Sequence, residues 1–273
     1  MSLLWRDRIQ VFFAPERVDL VRSYRAIKPR QVGRHVVCER IPGVPAWEPA
    51  LTLLKQLTGD GAGAEISIVI SNHFVRYAVI PPQSRIETPA ELYAYAAFQM
   101  REVYGERAAA WSLSVSSWDP GTGAVCAAIE HTLVEQLQEF VARHKMRLKN
   151  MEPYLAGAFD HWYKRFDNSR AWFALIETGR LCLASLEDGA WRRISNQRMW
   201  HNAEDGLLAA LEREALLFSA RREVVERVYL FAPEYPELNL PADCGWRIIP
   251  LQNEGPAPPH YPHYLPAVVA EAG

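Results

Sequence analysis

Apolar and polar positions repeat one pattern at two places in this chain, about 160 residues apart. Two mostly apolar runs flank a four-residue turn, and a third extended run follows. In the first copy Ile9 to Phe13 and Val18 to Tyr24 flank Ala14-Pro15-Glu16-Arg17, and Gln31 to Cys38 is the third run. In the second, Trp172 to Ile176 and Leu181 to Leu186 flank Glu177-Thr178-Gly179-Arg180, and Trp191 to Gln197 is the third. Each triplet leads through a helix-like stretch to a short apolar strand, Ile66 to Ile70 in one half and Val228 to Phe231 in the other. The pattern predicts a duplicated β-β-β-α-β unit and an α/β fold.

The helix of the first copy is expected over Ala46 to Thr58, with Trp47, Leu51 and Leu54 on one face. Glu65 to Pro82 then reads as two extended runs meeting at Ser71-Asn72-His73, where asparagine suits a tight turn. Thr88-Pro89-Ala90-Glu91 has the form of a helix start, threonine as N-cap and proline at the first helical position. That helix is expected to end near Gly105. Trp111 to Trp118 and Ala124 to Ile129 predict a hairpin around Asp119-Pro120-Gly121-Thr122-Gly123, and Leu133 to Lys145 a helix. A further helix is expected from Glu152-Pro153 to Phe166, a long one over Ala203 to Ser219, and a last strand over Trp246 to Leu251. The reading divides the chain into a first half over 1–150 with an inserted α+β subdomain at about 71–130, a second half over 151–255, and a proline-rich tail over 256–273.

Composition narrows the function classes. The 273 residues are 49% hydrophobic and carry a formal charge of −2, so no global attraction to nucleic acid or anionic lipid is expected. Cys38, Cys126, Cys182 and Cys244 stand far apart without a C-x-x-C pair, as reduced core residues of a cytosolic protein do. The N-terminus is charged by Arg6, too early for the apolar core of a signal peptide, and no run reaches the roughly 18 apolar residues of a membrane span. A membrane link would have to pass through another protein.

Candidate chemistry is sparse. The eight histidines show no H-x-x-x-H or H-E-x-x-H spacing, and no serine sits in G-x-S-x-G, so no metal or catalytic residue is assigned. Residues 1–35 hold eight Lys or Arg against three acids, a local excess suited to an acidic partner or to the solvent side of a sheet. The run His73 to Pro82 offers a strand edge that could accept an added peptide strand.

The element order resembles the actin-like superfamily, in which two ribonuclease-H-like units flank a cleft. Ile66 to Gly105 resembles more narrowly the PilM and GspL group of type IV pilus and type II secretion assembly. The residues that carry this are Ile68-Val69-Ile70, Val75-Arg76-Tyr77-Ala78-Val79, Ile80-Pro81, Glu91-Leu92, Val103-Tyr104-Gly105 and Trp111-Ser112-Leu113-Ser114. The resemblance implies a platform, cytoplasmic and peripheral at the inner membrane, that grips the cytoplasmic tail of a single-span pilus or secretion protein. It implies no nucleic-acid partner and no span of its own, a layout closer to PilM than to GspL. Arg22, Arg25, His73, Phe74, Arg76 and Tyr77 are the partner-binding candidates.

PilM-like members bind ATP, and this raises the question of the two turns. An actin-like site needs backbone N–H groups aimed at phosphates and a carboxylate for Mg²⁺. In the first turn Pro15 has no N–H and Glu16 would repel phosphate. Thr178, Gly179 and Arg180 of the second could accept an anion, or form an ordinary hairpin turn. The family's Gly-Gly adenosine contact has no counterpart over 227–260, which holds only Gly245 and Gly255. The expectation is a non-catalytic scaffold with a degenerate cleft, no cofactor and no ATPase activity. The alternatives are an ATP-dependent small-metabolite kinase of the same fold and an ATP-binding PilM-like scaffold.

Overall fold

The computed structural model describes residues 6–24, 30–59, 61–167, 170–200, 202–217, 227–241 and 243–252. The proline-rich tail lies outside them. The chain forms two compact units, one holding Met1–Val75 and Ile129–Gly157, the other Arg76–Ala128 and Ala158–Gln252.

In the first unit, β1 (Arg8–Ala14), β2 (Arg17–Tyr24) and β3 (Arg30–Val37) form an antiparallel meander. The helix α1 (Glu48–Thr58) leads to β4 (Glu65–Ile70), which pairs parallel to β1. A fifth strand, here numbered β8 (Arg147–Pro153), pairs parallel to β4, so the sheet order is β3-β2-β1-β4-β8. Leu51 and Leu54 of α1 are buried, and a second helix, α3 (His131–Arg143), buries Leu133, Leu137, Phe140 and Val141. Phe12 meets Tyr154 edge-on at 5.1 Å while its neighbour Phe13 meets Phe74 at 5.6 Å. Successive residues of a strand point to opposite faces, so both faces of β1 are covered.

The second unit repeats the topology. Its strands β9 (Ala171–Glu177), β10 (Arg180–Glu187), β11 (Ala190–Arg198), β12 (Arg227–Phe231) and β13 (Arg247–Pro250) stand in the order β11-β10-β9-β12-β13, with the same antiparallel and parallel pairings. Trp172, Ala174 and Ile176 face a core shared with Leu207 and Leu211 of α5 (Ala203–Leu217). Phe173, on the opposite face, stands 6.0 Å from Phe159 and 5.5 Å from Phe166. All seven residues of β9 are buried, as a strand covered on both sides requires. The two congruent sheets establish the duplication.

The second unit also holds a three-stranded sheet in the order β5-β7-β6, built from β5 (Val75–Ile80), β6 (Trp111–Val115) and β7 (Ala124–Glu130). The helix α2 (Pro89–Tyr104) packs on it through Ala96 and Met100 against Ala78, Ile80, Ala124, Cys126 and Ala128. Small side chains let helix and sheet approach closely. Thr88 caps α2 as expected, its hydroxyl accepting from the Glu91 N–H while the Glu91 carboxylate accepts from Thr88 N–H, a closed capping box.

Two local expectations change. Ser71-Asn72-His73 does make a turn, with Phe74 N–H donating to Ser71 C=O, yet β4 and β5 do not pair; they belong to different sheets. Glu152-Pro153 does not open a helix but closes β8 in register with Val69 and Ile70, and the helix α4 (Tyr154–Trp162) starts after it. Proline is tolerated there because the strand is at the sheet edge, where a missing N–H costs no ladder bond.

Candidate functional site

The first turn is a two-residue hairpin. Ala14 pairs with Arg17, and the Cys38 N–H donates to the Glu16 C=O at 2.9 Å. In the duplicate sheet Glu177 pairs with Arg180 in the same relation, so the fold itself aligns Ala14 with Glu177, Pro15 with Thr178 and Glu16 with Gly179. The carboxylate that closes β9 is therefore an alanine methyl in the first half. That half presents neither a metal-binding oxygen at the end of β1 nor an amide at Pro15.

The second turn is likewise a two-residue hairpin. Gly179 has φ of 71°, a left-handed conformation that glycine adopts without strain. The donors of Thr178 in this turn are engaged within the chain. The Thr178 N–H donates to Glu234 Oε2 at 2.7 Å, and the Thr178 hydroxyl donates to the same oxygen at 2.5 Å. Glu234 follows β12, the parallel neighbour of β9, so the topology delivers its carboxylate to the end of β9. A single carboxylate oxygen thus takes both donors of Thr178.

Arg180, the third residue of the expected loop set, is buried, with 7% of its surface exposed. Burial lowers its pKa, the positive charge of Arg76 lowers it further, Glu177 opposes this, and Arg198 adds to the lowering. Arg198 stands directly across the β10–β11 ladder from Arg180. The Nε of Arg180 is buried without a hydrogen-bond partner among the described residues. Two sequence-derived candidates, Arg76 and Arg180, thus come within electrostatic reach of each other across more than a hundred residues of chain, with the buried Glu177 carboxylate acting on Arg180 in the opposite sense.

The remaining candidates fall elsewhere. Arg22 in the first unit pairs with Asp7 at 3.0 Å and lies 4.8 Å over the Tyr24 ring; Arg25 lies outside the described residues. In the β4–β5 connection the His73 N–H donates to the Ser71 hydroxyl, and Phe74 packs on Phe13. Tyr77 in the second unit is clamped by Tyr104 of α2, whose hydroxyl accepts from the Tyr77 N–H at 3.3 Å and donates to its C=O at 2.8 Å. At that position the edge of β5 has its backbone groups satisfied within the chain.

Sequence reasoning missed Glu234 and the trio Arg17, Asp19 and His35. Asp19 is buried, 3.2 Å from Arg17 Nε and 2.5 Å from His35 Nδ1. The alternation of β2 and β3 could have placed all three on one face, but the hairpin register was needed to pair them. Among the described residues no group of three His, Cys, Asp or Glu is placed to hold a metal ion, and no helix is long and apolar enough to cross a membrane. Burial pushes the Cys126 thiol up to about 12 and raises Cys182 as well, so neither is a thiolate nucleophile near neutral pH.

No protein-family model and no curated protein matches the chain by sequence. Its structure is similar to several solved ones. The PilM–PilN type IV pilus biogenesis complex matches with a TM-score of 0.61 at 13% identity, covering 89% of this chain and 88% of that one. A Bacteroides thetaiotaomicron protein with an actin-like ATPase fold and unknown function matches at 0.56 and 10% identity, covering 82% and 81%. The cytoplasmic domain of EpsL, an inner-membrane component of the Vibrio cholerae type II secretion system, matches at 0.52 and 11% identity, covering 90% of each chain. These likenesses establish the actin-like fold and its relation in architecture to the PilM and GspL group.

Proposed function

We propose that this protein is a non-catalytic scaffold of a bacterial pilus or secretion system, stationed on the cytoplasmic side of the inner membrane. It captures the cytoplasmic tail of a single-span assembly protein, and its cleft is a vestige that neither holds nor hydrolyses ATP. The observation that carries this reading is the pair of hydrogen bonds from Thr178 to Glu234, which fills the anion position of the surviving loop. Pro15 and Glu16 remove the other loop from phosphate chemistry. Stabilising phosphate charge is the main resource of phosphoryl transfer, so losing both loops removes a kinase or ATPase mechanism and leaves binding.

The likeness in architecture to the PilM–PilN complex and to the EpsL cytoplasmic domain supports a role in such a machine. For tail capture Arg76, whose positive charge acts on the buried Arg180, is the candidate docking residue. A photo-crosslinking residue placed at Arg76 or Arg198 tests this in cells. The reading expects covalent capture of one inner-membrane protein through its cytoplasmic segment. Crosslinks only to soluble proteins would overturn it.

A further inference from the structure

The two sheets end in equivalent edge strands, β3 in the first unit and β11 in the second, and they are protected differently. On β11 the arginines are neutralised or covered within the chain. Arg192 Nε lies 3.1 Å from Glu187 and Arg193 Nε 2.5 Å from Glu214, while Arg198 lies 5.8 Å over the Trp200 ring. The ladder behind β11 is also broken by a register shift at Ser185 and Leu186. Bulges and internal salt links are the usual means of closing a sheet edge to further strands.

On β3 the ladder has no bulge, and the ion pair of its His35 with Asp19 lies on the face opposite Arg30 and Arg34. Its eight residues pair with β2 in unbroken register from Val37 opposite Arg17 to Arg30 opposite Tyr24. Arg30 and Arg34 are exposed, and no ion pair joins either to a described carboxylate. Gly33 stands between them, with no side chain to hinder an approaching backbone. Alternation puts Arg30, Val32, Arg34 and Val36 on one face, the two arginines about 13 Å apart.

We infer that the open edge of β3 is a docking strand for an extended acidic segment of a partner protein, which adds to the first sheet as a further strand. Backbone hydrogen bonds supply the attachment and the two arginines select the charge. The spacing fixes the pattern the segment must carry. Paired antiparallel, it presents apolar, acidic, apolar and acidic side chains at alternate positions, opposite Val36, Arg34, Val32 and Arg30. Docking on β3 does not depend on the tail-capture reading above.

The test uses the intact protein and a labelled synthetic peptide of the pattern Val-Thr-Glu-Thr-Val-Thr-Glu. Three controls accompany it: the same peptide with lysine for glutamate, the same peptide N-methylated at alternate amides, and vesicles of anionic phospholipid. Fluorescence anisotropy is expected to show salt-sensitive binding of the first peptide alone, with hydrogen-exchange protection confined to residues 30–37. The double variant Arg30→Glu with Arg34→Glu should bind it roughly 2- to 30-fold more weakly, the range for losing two exposed ion pairs, with an unchanged melting temperature. Equal binding of the N-methylated peptide would overturn strand addition. Binding of vesicles in place of peptide would assign the surface to lipid, and no peptide binding at millimolar concentration would also refute the proposal.

Discussion

Removing the Glu234 carboxylate tests whether the second loop is held closed from within. In Glu234→Ala the Thr178 N–H and hydroxyl lose an acceptor at 2.7 and 2.5 Å. A buried hydrogen bond to a charged group contributes about 1.5–3 kcal/mol. Thr178 is exposed, so water replaces the acceptor, and the net loss for both bonds falls to about 1 kcal/mol. In a chain of this size that lowers Tm by about 2–4 °C. Glu234→Gln keeps an oxygen acceptor but loses the charge, and about half that drop is expected. The vacated donors should then accept an added anion. Sodium pyrophosphate at ten times its dissociation constant would add about 1.4 kcal/mol to Glu234→Ala and raise Tm by about 3–6 °C, with little effect on the unmutated protein. Differential scanning fluorimetry reads both changes. The reasoning is refuted if pyrophosphate stabilises the unmutated protein as much as the variant, or if neither substitution alters Tm.

Other outcomes follow from the inserted sheet and its helix. Gly123 has φ of 83°, and a Cβ there would clash with the Ile80 carbonyl oxygen, so Gly123→Ala should destabilise by more than about 1 kcal/mol and lower Tm accordingly in a thermal melt. Tyr104→Phe leaves the Tyr77 N–H and C=O without their partner, a loss of about 1–3 kcal/mol in urea unfolding, and hydrogen exchange at Tyr77 should accelerate. Backbone N–H groups of Glu87 and Thr88 hold the Glu91 carboxyl below its usual range. A depressed carboxyl stabilises the fold above its unfolded pKa, and that contribution disappears as pH falls through the folded one. The Tm difference between the unmutated protein and Glu91→Gln should therefore be full near pH 6 and be lost as pH falls through the lowered folded value.

The duplicated sheets were legible because the apolar runs of β1, β2, β9 and β10 are bounded by short turns, and such a pattern allows few alternatives. β8 was not legible. Its sequence Arg147-Leu148-Lys149-Asn150-Met151-Glu152-Pro153 has no clear alternation, since an edge strand buries little, and Glu-Pro carries the local signature of a helix start. The Ser71-Asn72-His73 turn was visible, but turn chemistry cannot tell whether a chain folds back on its own sheet or crosses to another. At the candidate site, Pro15 and Glu16 could be judged from the sequence because their effect is covalent and local. Glu234 could not, because 56 residues separate it from Thr178 and only the parallel pairing of β12 with β9 brings them together. The same holds for Arg76 and Arg180, which come within electrostatic reach of each other only in the folded chain.

The central claim is that the cleft does not take nucleotide, and calorimetric titration of the purified protein with Mg-ATP tests it most directly. No heat of binding at millimolar Mg-ATP is the predicted result. Saturable binding in the micromolar range, abolished by Thr178→Val, would contradict it and show that the loop closed by Glu234 opens to phosphate.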